Sequence, residues 1–183
     1  MTTDVVSRRA LLSVARRAIV DVVGGSGNSK DIAAALPILD LCRGAFVTLL
    51  LHERLRGCIG RVEPRAPLRA LIPDLARAAA TADPRFAPVS RHEIDALVIE
   101  VSLLSEPEPV DARHVDVGRH GLIVSARGRR GLLLPQVPLQ FGWSREEFLD
   151  EVCVKAGLAP GAWRAEGTRL QSFTAEVFSE GDE

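Results

Sequence analysis

Two apolar, strand-forming runs, Ala45 to Leu51 and Leu55 to Gly60, flank a short polar break at His52-Glu53-Arg54. So short a break between β-rich runs calls for an antiparallel hairpin with its tip near Glu53. Period-two alternation along the second run places Arg56, Cys58 and Gly60 on one face and Leu55, Gly57 and Ile59 on the other. A guanidinium then stands beside a thiol, and a fixed positive charge favours thiolate over thiol. Gly57 and Gly60 leave room for a second backbone or a ligand to come close. Two readings of the stretch stay open: a reactive or anion-binding site, or a small buried cysteine in a tightly packed strand whose arginine is paired elsewhere.

The remaining segments mix helices with further strands. Leu11, Ala15, Ala18 and Val22 recur at helical spacing after a candidate cap at Ser7. The Gly24-Gly25-Ser26-Gly27-Asn28-Ser29 run reads as a flexible loop, and with no preceding strand and no following G-K-[ST] it is a poor phosphate cradle. Pro67 fits a first helical position, and Leu68, Leu71, Leu75 and Ala79 continue an apolar stripe that Pro73 should kink or divide. Asp83-Pro84-Arg85-Phe86 forms a turn just past the helix end, because the residue before a proline avoids the helical region. Ser90 and Glu93 have capping-box spacing.

Strand chemistry returns from Ala96 to Leu104, with Glu100 as a mid-strand acid opposite the Leu97, Ile99, Val101 and Leu103 face; such a carboxylate is usually ion-paired or exposed, and a catalytic role is the alternative. Pro107 and Pro109 end that strand and open an irregular segment through Asp116. A second hairpin follows, Leu122 to Ala126 and Gly131 to Leu134, turned by Arg127-Gly128-Arg129-Arg130 and entered by His120. Gln136 stands just past Pro135, where that strand must stop. Ser144 and Glu147 form a second capping box that starts a helix with Phe148, Leu149, Val152 and Cys153 as its buried stripe, ended by Gly157. Leu170 to Phe178 alternates as a last strand, with Phe173, Ala175 and Val177 on one side. Helices mixed with antiparallel hairpins, without regular strand–helix–strand alternation, make the class α+β.

Length and charge narrow the function classes. A chain of 183 residues fits a single domain, 1–183, with 46% hydrophobic and 26% charged residues as in ordinary globular proteins. A net charge of −1 gives no global attraction to nucleic acid or anionic membrane, and only Arg127 to Arg130 forms a dense basic patch. Cys42, Cys58 and Cys153 are widely spaced without a C-x-x-C pair, so neither a disulfide framework, a structural zinc site nor any other metal is expected, and a reducing cytoplasm is the natural home. No stretch has signal-peptide or membrane-span character. The abundance of Ala, Arg and Val with few Lys reads like a GC-rich bacterial coding sequence.

Arg56-Gly57-Cys58-Ile59-Gly60, preceded by Gly44-Ala45-Phe46-Val47-Thr48-Leu49, resembles the signature of the AMMECR-domain family, called AmmeMemoRadiSam system protein A in prokaryotes. Asp83-Pro84-Arg85-Phe86, the Ile99 to Ser105 run, His120-Gly121-Leu122-Ile123-Val124, the Arg130 to Val137 run and Lys155-Ala156-Gly157-Leu158 are similar to its later blocks in the same order, so the likeness spans about residues 7–178. The resemblance implies a two-lobed α+β unit and gene company with a Memo-like protein and a radical S-adenosylmethionine protein, hence a shared modification pathway or complex. It also implies that distant segments meet. In the enzyme reading Cys58 is the nucleophile, Arg56 steadies a thiolate or an anionic substrate, His120 or Glu100 is the acid/base partner, and Gly57, Gly60, Arg85 and Gln136 line the groove. In a binding-module reading the same face is a docking groove without catalysis. A third reading, nucleotide or nucleic-acid binding, rests on Arg127 to Arg130 and ranks lowest. No cofactor motif is present; lacking a Cys-x-x-x-Cys-x-x-Cys cluster, the chain leaves any iron–sulfur chemistry to a partner.

Overall fold

The first helix begins where a carboxylate can receive its free amides: Asp4 accepts from the Ser7 amide at 3.0 Å and from the Ser7 hydroxyl at 2.6 Å. A computed structural model describes residues 3–24, 36–63 and 66–181, so all but the first residue of the loop expected at 24–29 lies outside the described residues. The chain runs through α1 (Val5–Val23), β1 (Ala45–Leu51), β2 (Arg54–Arg61), α2 (Leu68–Thr81) and β3 (Leu97–Leu104). It continues through β4 (Glu108–Pro109), β5 (Gly121–Ala126), β6 (Arg129–Leu133), α3 (Val137–Phe141), α4 (Arg145–Lys155), β7 (Arg169–Phe173) and β8 (Ala175–Ser179). Two compact units result, Met1–Leu104 with Glu176–Glu183, and Ser105–Ala175. Each contains a four-stranded sheet, in the order β2-β1-β3-β8 in the first and β4-β7-β5-β6 in the second. The architecture is α+β.

In the first unit β1 pairs antiparallel with both β2 and β3. Alternation buries Val47 and Leu49 of β1 with Leu97, Ile99, Val101 and Leu103 of β3, and these pack with Leu11, Ala15 and Ile19 of α1 and Leu68, Ile72 and Leu75 of α2. In the second unit β5 pairs antiparallel with β6 and β7, and α4 covers the sheet with Phe148, Leu149, Val152 and Cys153 against Leu122 and Val124. That helical stripe is the expected one, down to Cys153, whose thiol burial pushes above its ordinary pKa. Both hairpins are joined by two-residue turns with positive φ, His52 (49°) with Glu53 (63°) and Arg127 (51°) with Gly128 (72°), which match the right-handed strand twist.

Several local expectations are corrected. Asp4 caps α1 and Ser7 lies buried inside it, because the carboxylate reaches the first free amides three residues earlier. Pro73 neither ends nor divides α2: the donor it removes belongs to the half-exposed side of a helix whose buried side, Leu68 to Ala80, continues through it. The segment after Pro107 is not wholly irregular, since Glu108 and Pro109 form an edge strand paired with Ser172 and Gln171, a place that tolerates proline. The turn of the second hairpin needs only Arg127 and Gly128, so Arg129 and Arg130 already belong to β6. The alternating run 170–178 is two strands. It breaks at Thr174, whose amide donates to the Ser105 hydroxyl at 3.0 Å and whose carbonyl accepts from the Ser105 amide at 2.9 Å; past it the pattern shifts, leaving Val177 exposed and Phe178 buried in the first core.

Gly57 fixes the distance between sheet and helix. A Cβ built there would stand 2.2 Å from the Ala79 carbonyl oxygen of α2, a backbone atom that cannot swing aside, whereas one at Gly60 would meet the Phe46 ring, a side chain that can rotate. Gly57→Val is therefore expected to destabilise by ~1–3 kcal/mol or more through overpacking, and Gly60→Ala by distinctly less. Thermal melts of the two variants check this, and equal losses would contradict the assigned role of the Ala79 contact.

Candidate functional site

Strand β2 lies at the edge of its sheet, so the amides and carbonyls on its outer side need partners other than β1. Its register against β1 slips once: Leu49 faces Gly57 but Leu50 faces Leu55, which leaves Arg56 as the extra residue of a β-bulge. The bulge sends the Arg56 side chain to the segment after α2. Its Nε donates to Glu93 Oε1 at 2.7 Å and Nη2 to Oε2 at 3.2 Å, while Nη1 donates to the Ala87 carbonyl at 2.8 Å and Nη2 to that of Pro88 at 3.2 Å. Glu93 also accepts from the Ser90 amide at 2.7 Å, the capping contact expected of it. The Arg56 guanidinium, expected to stand beside Cys58, thus fastens residues 87–93 to the strand.

The cation at Cys58 is Arg85. Cys58 turns its backbone outward: its amide donates to Asp83 Oδ2 at 2.9 Å, and its carbonyl accepts from Arg85 Nη2 at 3.3 Å. Asp83 in turn accepts from the Arg85 amide at 3.1 Å, from Nε at 2.9 Å and from Nη2 at 2.6 Å. Its side chain is only 2% exposed, and the Arg85 hydrogen bonds, followed by the Cys58 amide, hold its carboxyl well below the usual carboxylate range. Arg85 is shifted up, chiefly by Asp83 and to a lesser degree by Cys58. Its side chain is 53% exposed and lies over the Phe86 ring, 5.4 Å from the centroid. The Asp83-Pro84-Arg85 turn therefore stands in for a neighbouring strand, offering an acceptor and a donor to one residue of the edge.

On the sheet face away from α2, Thr48 Oγ1 donates to Cys58 Sγ at 3.3 Å. The registers place Thr48 opposite Cys58 on one side and Glu100 on the other, so the three form one row across β2, β1 and β3. Each is partly exposed. With strands about 4.8 Å apart, Glu100 stands two strand spacings from Cys58, with Thr48 between them.

Of the residues singled out in the sequence, Arg56, Gly57, Cys58, Gly60, Arg85 and Glu100 lie in the first unit, and His120 and Gln136 in the second. Gly57 faces α2, on the side opposite Cys58, and Gly60 lies beneath the Phe46 ring. His120 is half-buried and its Nδ1 accepts from the Asp116 amide at 3.0 Å, closing the 116–120 turn. Gln136 is exposed and precedes α3, a short helix the sequence reading did not foresee. The reading also passed over Thr48 and Asp83 as site residues. The signal for Asp83 was present, since an acid fixed between a helix end and a proline has its carboxylate aimed by the turn. Among the described residues no three His, Cys, Asp or Glu side chains are grouped as metal ligands would be.

Arg56 beside Glu93 holds the Glu93 carboxyl down from an ordinary 4.5 to about 2, with the Ser90 amide adding to the effect. A carboxyl depressed on folding stabilises the fold above its ordinary value and gives that up as pH falls through the lower one. Glu93→Gln should be less stable than the parent near neutrality, and the gap should close as pH falls from about 4.5 to about 2. Urea melts across that range check it; a gap independent of pH would show that the Arg56–Glu93 pair contributes nothing through charge.

Comparison with known proteins agrees with this architecture. The AMMECR1 family model matches residues 12–178. Protein MJ0810 of Methanocaldococcus jannaschii is 46% identical over 147 residues, covering 75% of this chain and 73% of the relative. A protein of Thermococcus onnurineus is 44% identical over 181 residues, covering 93% and 88%. The crystal structure of protein PH0010 from Pyrococcus horikoshii superposes with a TM-score of 0.79 at 42% identity, over 98% of this chain and 93% of that one. Matched by its family model from the first helix to the last strand, and at this level of identity to such relatives, the chain belongs to the AMMECR1 family.

Proposed function

We propose that this AMMECR1-family protein works in a modification pathway with a Memo-like protein and a radical S-adenosylmethionine protein, and that its working surface is the sheet face centred on Cys58. The observation that supports this choice of surface is the clamp on Cys58: a nearly buried Asp83 carboxylate and an Arg85 guanidinium fix the backbone of one edge-strand residue, and that residue stays partly exposed beside the Thr48 hydroxyl. A nucleophile needs to be held without being covered, and this arrangement does both.

In this reading the Cys58 sulfur adds to an electrophilic carbon as the thiol proton leaves through water and the displaced electron pair stays on the substrate, Thr48 donates a hydrogen bond to the sulfur, and the half-exposed Arg85 holds a carboxylate or phosphate on the substrate or partner. Glu100, on the same row, is the acid/base group. Any iron–sulfur chemistry belongs to the partner, because this chain carries no Cys-x-x-x-Cys-x-x-Cys motif. Three cysteines without a disulfide fit a reducing compartment, so the cytoplasm is the place of action we propose, and composition supports a bacterial source although the relatives compared are archaeal. No helix among the described residues is long and apolar enough to cross a membrane.

Iodoacetamide labelling of the folded protein, read at each cysteine by mass spectrometry, tests the nucleophile. Cys58 should label faster than exposed Cys42 near neutral pH, buried Cys153 should stay unlabelled until unfolding, and Arg85→Ala should slow Cys58 by about threefold or more. If Cys58 labels no faster than Cys42, the same face is better read as a non-catalytic docking surface.

Co-purification with the Memo-like protein tests the partnership separately. Arg85→Glu should reduce recovery of the pair by about tenfold, as expected for reversing a charge at an interface. Undiminished recovery would place the interface elsewhere.

A further inference from the structure

After α4 the chain returns to the sheet of the second unit through a loop, residues 158–168, that meets the tip of the β5–β6 hairpin. Ser125 of β5 faces Arg169 of β7, so the hairpin tip and the end of this loop leave the sheet side by side. Between them lies a cavity of about 440 Å³. Leu158, Pro160, Ala162 and Ala165 make its apolar walls, and Gly161 (φ 79°) and Gly167 (φ 81°) turn the loop around the space without filling it. The volume falls in the range of ~300–1,000 Å³ typical of small-molecule sites.

The loop is held in shape by its own contacts. Asp150 of α4 accepts from the Gly161 amide at 2.8 Å and from Trp163 Nε1 at 2.7 Å. The Ala162 carbonyl accepts from the Ala165 amide at 3.1 Å and from the Thr168 hydroxyl at 2.8 Å, which spends the donor of the one hydroxyl that lines the cavity. Two charged side chains remain. Arg127 is the one cation that lines the space and Glu166 the one acid. Neither side chain makes a hydrogen bond or ion pair among the described residues, so although they border the same cavity they are not joined to each other. A ligand with a single charge would leave one of the two partnered by water alone, whereas a zwitterion satisfies both.

We infer that this cavity binds a free amino acid with an apolar side chain, its carboxylate on the Arg127 guanidinium, its ammonium on the Glu166 carboxylate and its side chain against Leu158, Pro160 and Ala162. A guanidinium fork takes a carboxylate through two parallel hydrogen bonds, and a carboxylate accepts from the donors of an ammonium. An amino acid carries ammonium, carboxylate and apolar branch on one carbon, and those are the three kinds of partner that border the space. The residues are separate from Cys58 and its row, so the site holds whatever that thiol does.

NMR titration of the full chain with L-leucine, followed at the Arg127 and Gly167 amides, tests the inference. Leucine should bind with a millimolar Kd. N-acetyl-leucine lacks the ammonium, leucinamide the carboxylate and glycine the apolar branch, and each should bind about tenfold more weakly. Arg127→Asn introduces a residue type that the positive φ of that turn accepts, so the hairpin keeps its shape. It should erase the preference for leucine over leucinamide and retain the preference over N-acetyl-leucine. Glu166→Gln, at an exposed position, should do the reverse. The inference is overturned if leucine gives no saturable shift at about 20 mM, past the weak end of small-molecule affinity. It is overturned too if either blocked analogue, or inorganic phosphate, binds as tightly as leucine, which would leave a patch for one charge only. Preferences unchanged in both variants would also overturn it, since the two charges would then play no part.

Discussion

An edge strand has to satisfy or hide its outer amides and carbonyls, and in the first unit that demand organises everything around Cys58. Strand β2 has β1 on one side only. The turn after α2 supplies what a further strand would have supplied, a carboxylate for the Cys58 amide and a guanidinium for its carbonyl. Because both groups come from one turn and bind each other, they are held as a pair, and the nearly buried Asp83 has every reason to stay ionised. The same turn leads into residues 87–93, which Arg56 fastens through Glu93 and two carbonyls. A single segment, from the end of α2 to the start of β3, thereby protects the edge and frames the thiol.

Close approach of helix to sheet is the second constraint, and both units meet it in the same way. In the first, Gly57 admits the Ala79 carbonyl of α2; in the second, Gly131 admits the backbone of α4 at Val152 and Ala156. On the opposite faces an aromatic ring lies over a glycine of the neighbouring strand, Phe46 over Gly60 and Phe173 over Gly121. The glycines near the thiol are thus explained by packing, and what the packing leaves partly exposed there is Cys58, Thr48 and the Arg85 guanidinium.

Much of this was legible in the residues. Both hairpins follow from short polar breaks between β-branched runs, both capping boxes from Ser and Glu three apart, and the buried α4 stripe from its spacing, because each depends on contacts within a few residues. The misreadings share the opposite cause. The run 170–178 alternates without a break, yet it serves two sheets, since pairing at Thr174 with Ser105 is a long-range event invisible to local periodicity. Likewise Arg56 and Cys58 alternate as neighbours on a regular strand, and only the bulge opposite Leu49 and Leu50, a property of the pair of strands, separates their tasks.

By itself the sequence determined the α+β class, the positions of the hairpins and most helices and the burial of Cys153, because hydrophobic periodicity and capping act over one or two turns of chain. Only the tertiary structure decided which arginine stands by Cys58, that Asp83 fixes it, that Thr48 and Glu100 share its row, and that Arg169 lines one cavity with the arginines of the second hairpin. Those are matters of register and of chain reversal between segments tens of residues apart, and a side chain's partner across such a distance is set by how sheets pair and helices pack, not by its neighbours in sequence.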